Sequence, residues 1–307
     1  MTELRTPGAS GALPPRAVLV HRRTELTSLL ERHGTRGQAA FFLGSRGRRI
    51  EDVATRHHQV AAAIAVVTAS IPDRWRRATV ERSELARFLF EPGDIIVVVG
   101  QDGLVANVAK YLDGQPVVGI NPEPDRNPGV LVPHPAAAAP ALLAAAASGT
   151  APVDRLAMVR AGTDDGQELQ ALNEIYVGHA SHQTARYVLA APAGAAEAQA
   201  SSGVIVGTGT GATGWCMSAW LERHSQLALP GPTDQRLAWF VREAWPSPAT
   251  GTGRTEGELS VGQELSVSVA SDELVLFGDG VESDAVTLSY GQLVRIGLAE
   301  RVLRLVS

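Results

Sequence analysis

Lysine is almost missing from this sequence. Of the 27 side chains that are lysine or arginine, only Lys110 is lysine. A P-loop of the Gly-Lys-Ser/Thr kind is therefore excluded, because Lys110 lies between Ala109 and Tyr111 in a helical pattern. Schiff-base chemistry would rest on that one residue. Cysteine is as scarce: Cys216 stands alone, which excludes an intrachain disulfide and a thiolate metal cluster. Both absences agree with a reducing cytoplasm. A basic excess is lacking too. The formal net charge is -5, which gives no footprint for a nucleic-acid partner. The alanine-rich stretch 135–147 is too short to span a bilayer and is interrupted by Pro140, so no membrane partner is expected. Residues 1–16 are rich in Gly, Pro and small residues without an apolar core, and read as a flexible leader rather than a signal peptide. The expected location is cytoplasmic.

What is present suffices for two domains: 307 residues, 45% of them hydrophobic. Over residues 17–147 short β-branched runs alternate with helical stretches, which predicts an α/β layered domain. Strands are expected at 17–20, 39–43, 94–99 and 116–120. Helices are expected from a Thr24 cap to Gly34, at 50–69, at 83–90 and at 105–112. After a linker at 148–152 the character changes. Residues 153–307 read as a mainly antiparallel β domain, with a return of the C-terminal segment to the first domain left open. Its expected strands are 155–161 and 168–177, joined by the turn Asp164-Asp165-Gly166, then 204–206, 237–243, 265–269 and 274–277, with one helix near 215–224. A site at the junction of the two domains is the default expectation.

The run Asp94-Ile95-Ile96-Val97-Val98-Val99 reads as a strand buried on both faces, and Gly100-Gln101-Asp102-Gly103-Leu104 follows it into a helix. Ligands of open α/β sheets bind at the carboxyl ends of strands. Glycines there admit phosphate oxygens, and the first helical turn favours an anion. Asp102 would repel phosphate unless it binds a metal ion or accepts a proton from an attacking hydroxyl. The plainer reading is that Asp102 caps the helix; spacing alone leaves both open.

This loop resembles the Gly-Gly-Asp-Gly-Thr motif of the NAD kinases, whose superfamily includes diacylglycerol kinases and 6-phosphofructokinases. Further resemblances follow in order. Gly119-Ile120-Asn121 is similar to the family's strand-end Gly-Ile-Asn. Leu172-Asn173-Glu174 resembles its Asn-Glu motif. The stretch Ser202-Gly203-Val204-Ile205-Val206-Gly207-Thr208-Gly209-Thr210-Gly211-Ala212-Thr213-Gly214-Trp215 resembles its strand-then-glycine-rich segment, and Phe277-Gly278-Asp279-Gly280 its late Asp-Gly turn. The resemblance implies an ATP- and Mg²⁺-dependent kinase that phosphorylates the ribose 2′-hydroxyl of NAD(H) to NADP(H), and a homo-oligomer. It makes Asp102 the base or metal-placing group, with Gly100, Gln101 and Gly103 beside the phosphates. Asn173, Glu174, Thr208, Gly209, Thr210, Gly211, Thr213 and Trp215 would contact the dinucleotide, and Asn121 and Asp279 would line the junction. No residue is assigned as a metal ligand.

Gln101 stands where the family has glycine and Leu104 where it has threonine. These departures keep two alternatives in view: a kinase relative acting on a different sugar or nucleoside, and a nucleotide-binding regulatory protein. Three competing signals also need a reading. Residues 209–214 match the G-x-G-x-x-G spacing of a Rossmann oxidoreductase, but no buried strand ending in an acidic residue follows. His179 and His182 read as loop residues rather than a metal pair, since no carboxylate or cysteine completes a set. The run Arg46-Gly47-Arg48-Arg49 reads as a solvated loop, with a triphosphate contact as the alternative.

Overall fold

The computed structural model describes residues 14–307; of the leader expected over 1–16, residues 1–13 lie outside the described residues. In chain order the elements are β1 (Arg16–His21), α1 (Glu25–His33), α2 (Arg36–Gly44), α3 (Ile50–Ser70), β2 (Arg76–Glu81), β3 (Asp94–Val99), α4 (Asp102–Ala109), β4 (Pro116–Ile120) and α5 (Ala139–Ser148). The second half holds β5 (Val153–Thr163), β6 (Glu168–Ala171), β7 (Glu174–Gly178), β8 (Ala185–Ala190), β9 (Glu197–Ser201), β10 (Gly203–Gly207), α6 (Trp215–Glu222), β11 (Arg236–Arg242), β12 (Glu256–Ser260), β13 (Glu264–Val269), β14 (Glu273–Gly278), β15 (Val281–Ser289) and β16 (Leu293–Val306).

Strands β2, β1, β3 and β4 pair in parallel in that order. Their alternation decides what covers each face. Val18, Val20, Ile96 and Val98 point into one core with Leu104, Val105 and Val108 of α4. Ala17, Leu19, Ile95, Val97 and Val99 point into the other, against Ala63 and Val67 of α3 and Leu143 of α5. All six residues of β3 are buried, as a continuous apolar run between two helical layers requires. Helix α1 is capped by the Thr24 hydroxyl, which accepts from the Thr27 amide, and Gly34 closes it at φ 76°.

The second half is a sandwich. One sheet runs β12-β11-β10-β7-β14-β15; the other continues the parallel sheet through β16, β13, β8 and β9, with β5 and β6 alongside. Between them lies a core that includes Val177, Val204, Trp239, Tyr187, Val267 and Ile296. α6 covers the outer face of the first sheet, where Cys216 and Ala219 meet Ile205 and Phe240. The long strand β16 pairs antiparallel with β5 and β13, and its last residues pair in parallel with β4 through Arg304↔Pro116 and Leu305↔Val117. The sheets of the two halves are thereby continuous.

Several elements differ from expectation. Residues 39–43 lie in a helix, not a strand: Ala39 and Leu43, four apart, are buried while Phe41 points out. Residues 83–90 hold only a 3-10 turn over Arg82–Arg87, and it follows a strand, β2, where none was expected. The strand expected over 168–177 breaks at Leu172-Asn173 into β6 and β7, which enter different sheets. β1 begins at Arg16, whose guanidinium grips the buried Asp94 carboxylate at 2.6 and 2.8 Å. Among the described residues no helix is long and apolar enough to cross a membrane.

Candidate active site

The carboxyl end of β3 opens into the loop that carries Asp102. Gly100 donates its amide to the Ile120 carbonyl at 3.0 Å, and Gln101, in extended conformation, precedes the first turn of α4. Leu104 folds back so that a Cβ on Gly100 would lie 3.0 Å from its Cδ2. Asp102 does not cap the helix: Gln101 occupies that position without a side-chain cap bond. Instead the Asp102 carboxylate takes backbone amides from the neighbouring loop. Oδ1 accepts from Leu131 at 2.8 Å and Val132 at 3.2 Å, and Oδ2 accepts from Val130 at 3.0 Å. Two oxygens offer about four acceptor sites, so one remains open, on Oδ2.

Asn121 builds that neighbouring loop. It is buried, its amide donates to the Asn127 carbonyl at 2.7 Å, and its oxygen accepts from the Glu123 amide at 3.0 Å. It thus holds the segment that delivers the three amides to Asp102.

A second constellation forms where β7 starts. Asp279, in left-handed conformation at φ 54°, accepts from the Leu172 amide at 3.0 Å and the Asn173 amide at 2.7 Å. Its own amide donates to the Glu174 carbonyl at 3.0 Å. Thr208 donates its amide to the Asn173 carbonyl at 2.9 Å and its hydroxyl to the Leu172 carbonyl at 2.6 Å. Gly211 lies so close that an added Cβ would sit 2.1 Å from the Asn173 oxygen, and one on Gly209 would sit 1.8 Å from the Gly231 oxygen. The glycine-rich segment is pressed onto the Asn-Glu strand start, and only residues without a side chain permit it. The same segment leaves an antiparallel strand, β10, and leads through α6 to β11, which is antiparallel to β10. A Rossmann unit needs parallel strands there, so the oxidoreductase reading is overturned.

Two cavities meet at Gly103, which lines both. The larger, about 1070 Å³, is lined by Gly100 and Gln101, by the cations Arg22, Arg23, Arg56, Arg82 and Lys110, and by the carboxylates Glu25, Glu81, Glu123 and Asp279, with Arg56 paired to Glu25. The smaller, about 500 Å³, is lined by Asp102, Asn173, Glu174, Thr210, Gly211, Thr213 and Trp215, with Asp154 and apolar side chains such as Leu131 and Leu156. Its charged lining is acidic. Burial, and then the neighbouring Asp279, push the Glu174 carboxyl up to about 7. Burial likewise raises Asp279 to about 6, against the lowering pull of the Leu172 and Asn173 amides and the Lys110 ammonium. The hydroxyl of Thr210 is buried without a partner. Trp215 stacks on Tyr176 with centroids 5.4 Å apart, and the Arg242 guanidinium lies 5.0 Å from its ring.

Most of the site residues expected from sequence are therefore gathered on these two cavities. Asn121, Thr208 and Gly209 line neither; they brace the walls. The cations of the larger cavity carried no sequence assignment. Arg22 and Arg23 sit directly after β1, at a strand's carboxyl end, which was a usable signal; Arg82 follows β2, which the sequence did not reveal. The arginines after α2 are engaged elsewhere: Arg46 stacks on Phe42, Arg48 pairs with Glu25, and Arg49 with Glu51. His179 accepts from the Ser181 amide at 3.0 Å, and neither it nor His182 reaches a cavity. Among the described residues no group of three or more His, Cys, Asp or Glu could hold a metal ion.

No family model matches the chain. No curated protein matches it by sequence. Solved structures do match. A yeast NADH kinase complexed with NADH superposes with a TM-score of 0.60 at 14% identity, over 96% of this chain and 84% of that one. An NAD kinase from Archaeoglobus fulgidus in complex with ATP gives 0.56 at 17% identity, over 95% and 93%.

Proposed function

We infer the activity from a fold like that of the NAD kinases, an α/β N-terminal part and a mostly antiparallel β C-terminal part. We propose that the protein is a kinase that transfers the γ-phosphoryl group of ATP to a hydroxyl of NAD(H), the ribose 2′-hydroxyl, or of a related nucleotide-like molecule. One observation carries this reading. Gly103, one residue after Asp102, lines both a large cavity that holds five cations beside four carboxylates and a smaller one whose charged lining is acidic. A triphosphate suits the first. Its oxygens would face Arg22, Arg23 and Arg82, and the open backbone at Gly103. A neutral nucleoside portion suits the second, where Asn173, Glu174 and the unpartnered Thr210 hydroxyl offer donors and acceptors to ribose and base.

In this arrangement the acceptor hydroxyl donates its hydrogen bond to Asp102 Oδ2, the oxygen with an open site. The proton passes to that carboxylate as the hydroxyl oxygen bonds to the γ-phosphorus. The bond from phosphorus to the β–γ bridging oxygen breaks, and ADP leaves. The three amides that clamp Asp102 fix its direction, and positioning is most of what phosphoryl transfer asks of a protein. A dedicated metal cage is not required: Mg²⁺ would be held mainly by the substrate phosphates. When bound, Mg²⁺ neutralises charge on the β- and γ-phosphates.

Purified protein given ATP, Mg²⁺ and NAD⁺ or NADH is expected to form ADP and NADP(H) in equal amounts. ADP formed only with another hydroxyl compound would keep the kinase and replace the acceptor. Gln101 and Leu104 favour a second reading, a nucleotide-binding regulatory protein, since Leu104 is buried against Gly100 and supplies no hydroxyl. That reading predicts ATP binding by calorimetry with no ADP release under any acceptor. By the same resemblance we infer a cytoplasmic homo-oligomer of two domains, split near residues 148–152.

A further inference from the structure

Lys110 is the single lysine of a chain whose other basic side chains are arginines. Its side chain is only 5% exposed, an expensive place for an ammonium unless it is paired. It follows the last residue of α4, whose first residue is Asp102. The ammonium pairs with Asp284 on β15, and the Tyr111 hydroxyl donates to the same Asp284 oxygen at 3.4 Å. β15 is one arm of the hairpin with β14, and the turn of that hairpin carries Asp279. Asp279 in turn holds the Leu172 and Asn173 amides.

We propose that Lys110 is a positioning residue: by pairing with Asp284 and facing Asp279, it fastens the helix that carries Asp102 to the hairpin that sets the Asn173-Glu174 wall. The charged groups acting on Asp279 are Lys110, just after α4, and Glu174 from β7; Tyr111 and Lys110 both contact Asp284 of β15, and Arg82 acts on Tyr111 from the turn after β2. Lys110 is the cation acting on Asp279, whose burial and acidic neighbour both favour the neutral form. With Lys110 present, the carboxylate stays charged at neutral pH and keeps its two amide bonds at full strength. Without it, an ionised Asp279 faces Glu174 uncompensated.

The test has one arm that needs no ligand. The unfolding temperature is measured from pH 5 to pH 8 for the wild type, Lys110→Met, Lys110→Arg and Asp284→Asn, and for Lys110→Met in an Asp279→Asn background. Lys110→Met is expected to lose on the order of 3 °C more at pH 8 than at pH 5. Lys110→Arg restores the wild-type profile, and the pH-dependent part vanishes in the Asp279→Asn background. Asp284→Asn, which loosens the pair from the other side, covers the case in which Lys110→Met does not fold. It is expected to lower the unfolding temperature and weaken NAD⁺ binding. A loss equal at all pH values, or one unaffected by Asp279→Asn, overturns the proposal. The second arm rests on the functional reading above: calorimetry with NAD⁺ alone and ATP alone. A positioning role predicts weaker NAD⁺ binding with ATP affinity unchanged. Weaker ATP binding with NAD⁺ unchanged would make Lys110 a direct phosphate ligand and overturn the proposal. A wild type that binds neither nucleotide refutes the functional reading, while the first arm still decides the role of Lys110.

Discussion

The Asp279 carboxylate accepts the backbone amide of Asn173 at 2.7 Å, joining residues 106 positions apart at the wall between the two cavities. Replacing Asp279 with Asn would turn an amide group toward two amide donors, Leu172 and Asn173, or leave a weaker neutral acceptor. The expected loss is about 1–3 kcal/mol in urea unfolding at pH 7.5, with weaker acceptor binding. Unchanged stability and binding would mean the wall does not depend on that carboxylate.

Glu174 gives a pH-dependent prediction. In the fold its carboxyl is raised to about 7 from an ordinary value of 4.5, so between these pH values the native state holds more protons than the unfolded one. Stability from this group is therefore present at low pH and falls as pH rises through that window. Glu174→Gln removes the charge and should stabilise the protein at pH 8, by roughly 1–3 kcal/mol, with no gain at pH 4. Equal effects at both pH values would contradict the assignment. Turnover is expected to fall at every pH, because the side chain also lines the smaller cavity, the one proposed for the acceptor.

Two glycines separate packing from function. A Cβ on Gly211 meets the Asn173 oxygen, so Gly211→Ala should cost about 1–3 kcal/mol of stability and disrupt acceptor binding together. A Cβ on Gly103 meets nothing within 4 Å, so Gly103→Ala should fold as the wild type does. Gly103 lines both cavities, so turnover should drop while the unfolding temperature holds. Full activity in Gly103→Ala would place the reacting groups elsewhere.

Arg22 tests the cation-lined cavity. It is exposed at the end of β1 and lines that cavity. Arg22→Ala should raise KM for ATP by a few-fold, up to about tenfold, and leave KM for the acceptor unchanged. A rise for the acceptor alone would reverse the assignment of the two cavities.

How much of this was legible in the sequence depended on range. β3 and β10 announce themselves as apolar runs, because each is covered on both faces. Asp102 was findable because strand, glycine and helix follow within a few residues. The helix at 36–44 misled because Ala39-Ala40-Phe41-Phe42-Leu43 is apolar throughout, and only its i,i+4 burial gives the period. β2 hid behind Arg76 and Arg77, which an edge strand can expose. The partners of Asp102 and Asp279 are backbone amides some 28 to 107 residues away, and no spacing rule reports such contacts. The cation-lined cavity was unseen for the same reason: Arg22, Arg56, Arg82 and Lys110 converge only when β1, α3, the turn after β2 and α4 are placed together.

The central claim is that Asp102 takes the proton of an acceptor hydroxyl during phosphoryl transfer, and ADP release by the wild type and Asp102→Asn tests it most directly. With ATP, Mg²⁺ and NAD⁺ or NADH, the wild type should release ADP and form NADP(H) in equal amounts. Asp102→Asn, folded by its unfolding temperature and still binding ATP, should release ADP at least about a hundredfold more slowly. A wild-type rate in Asp102→Asn, or a folded wild type that binds ATP yet releases no ADP with any hydroxyl acceptor, would contradict the account.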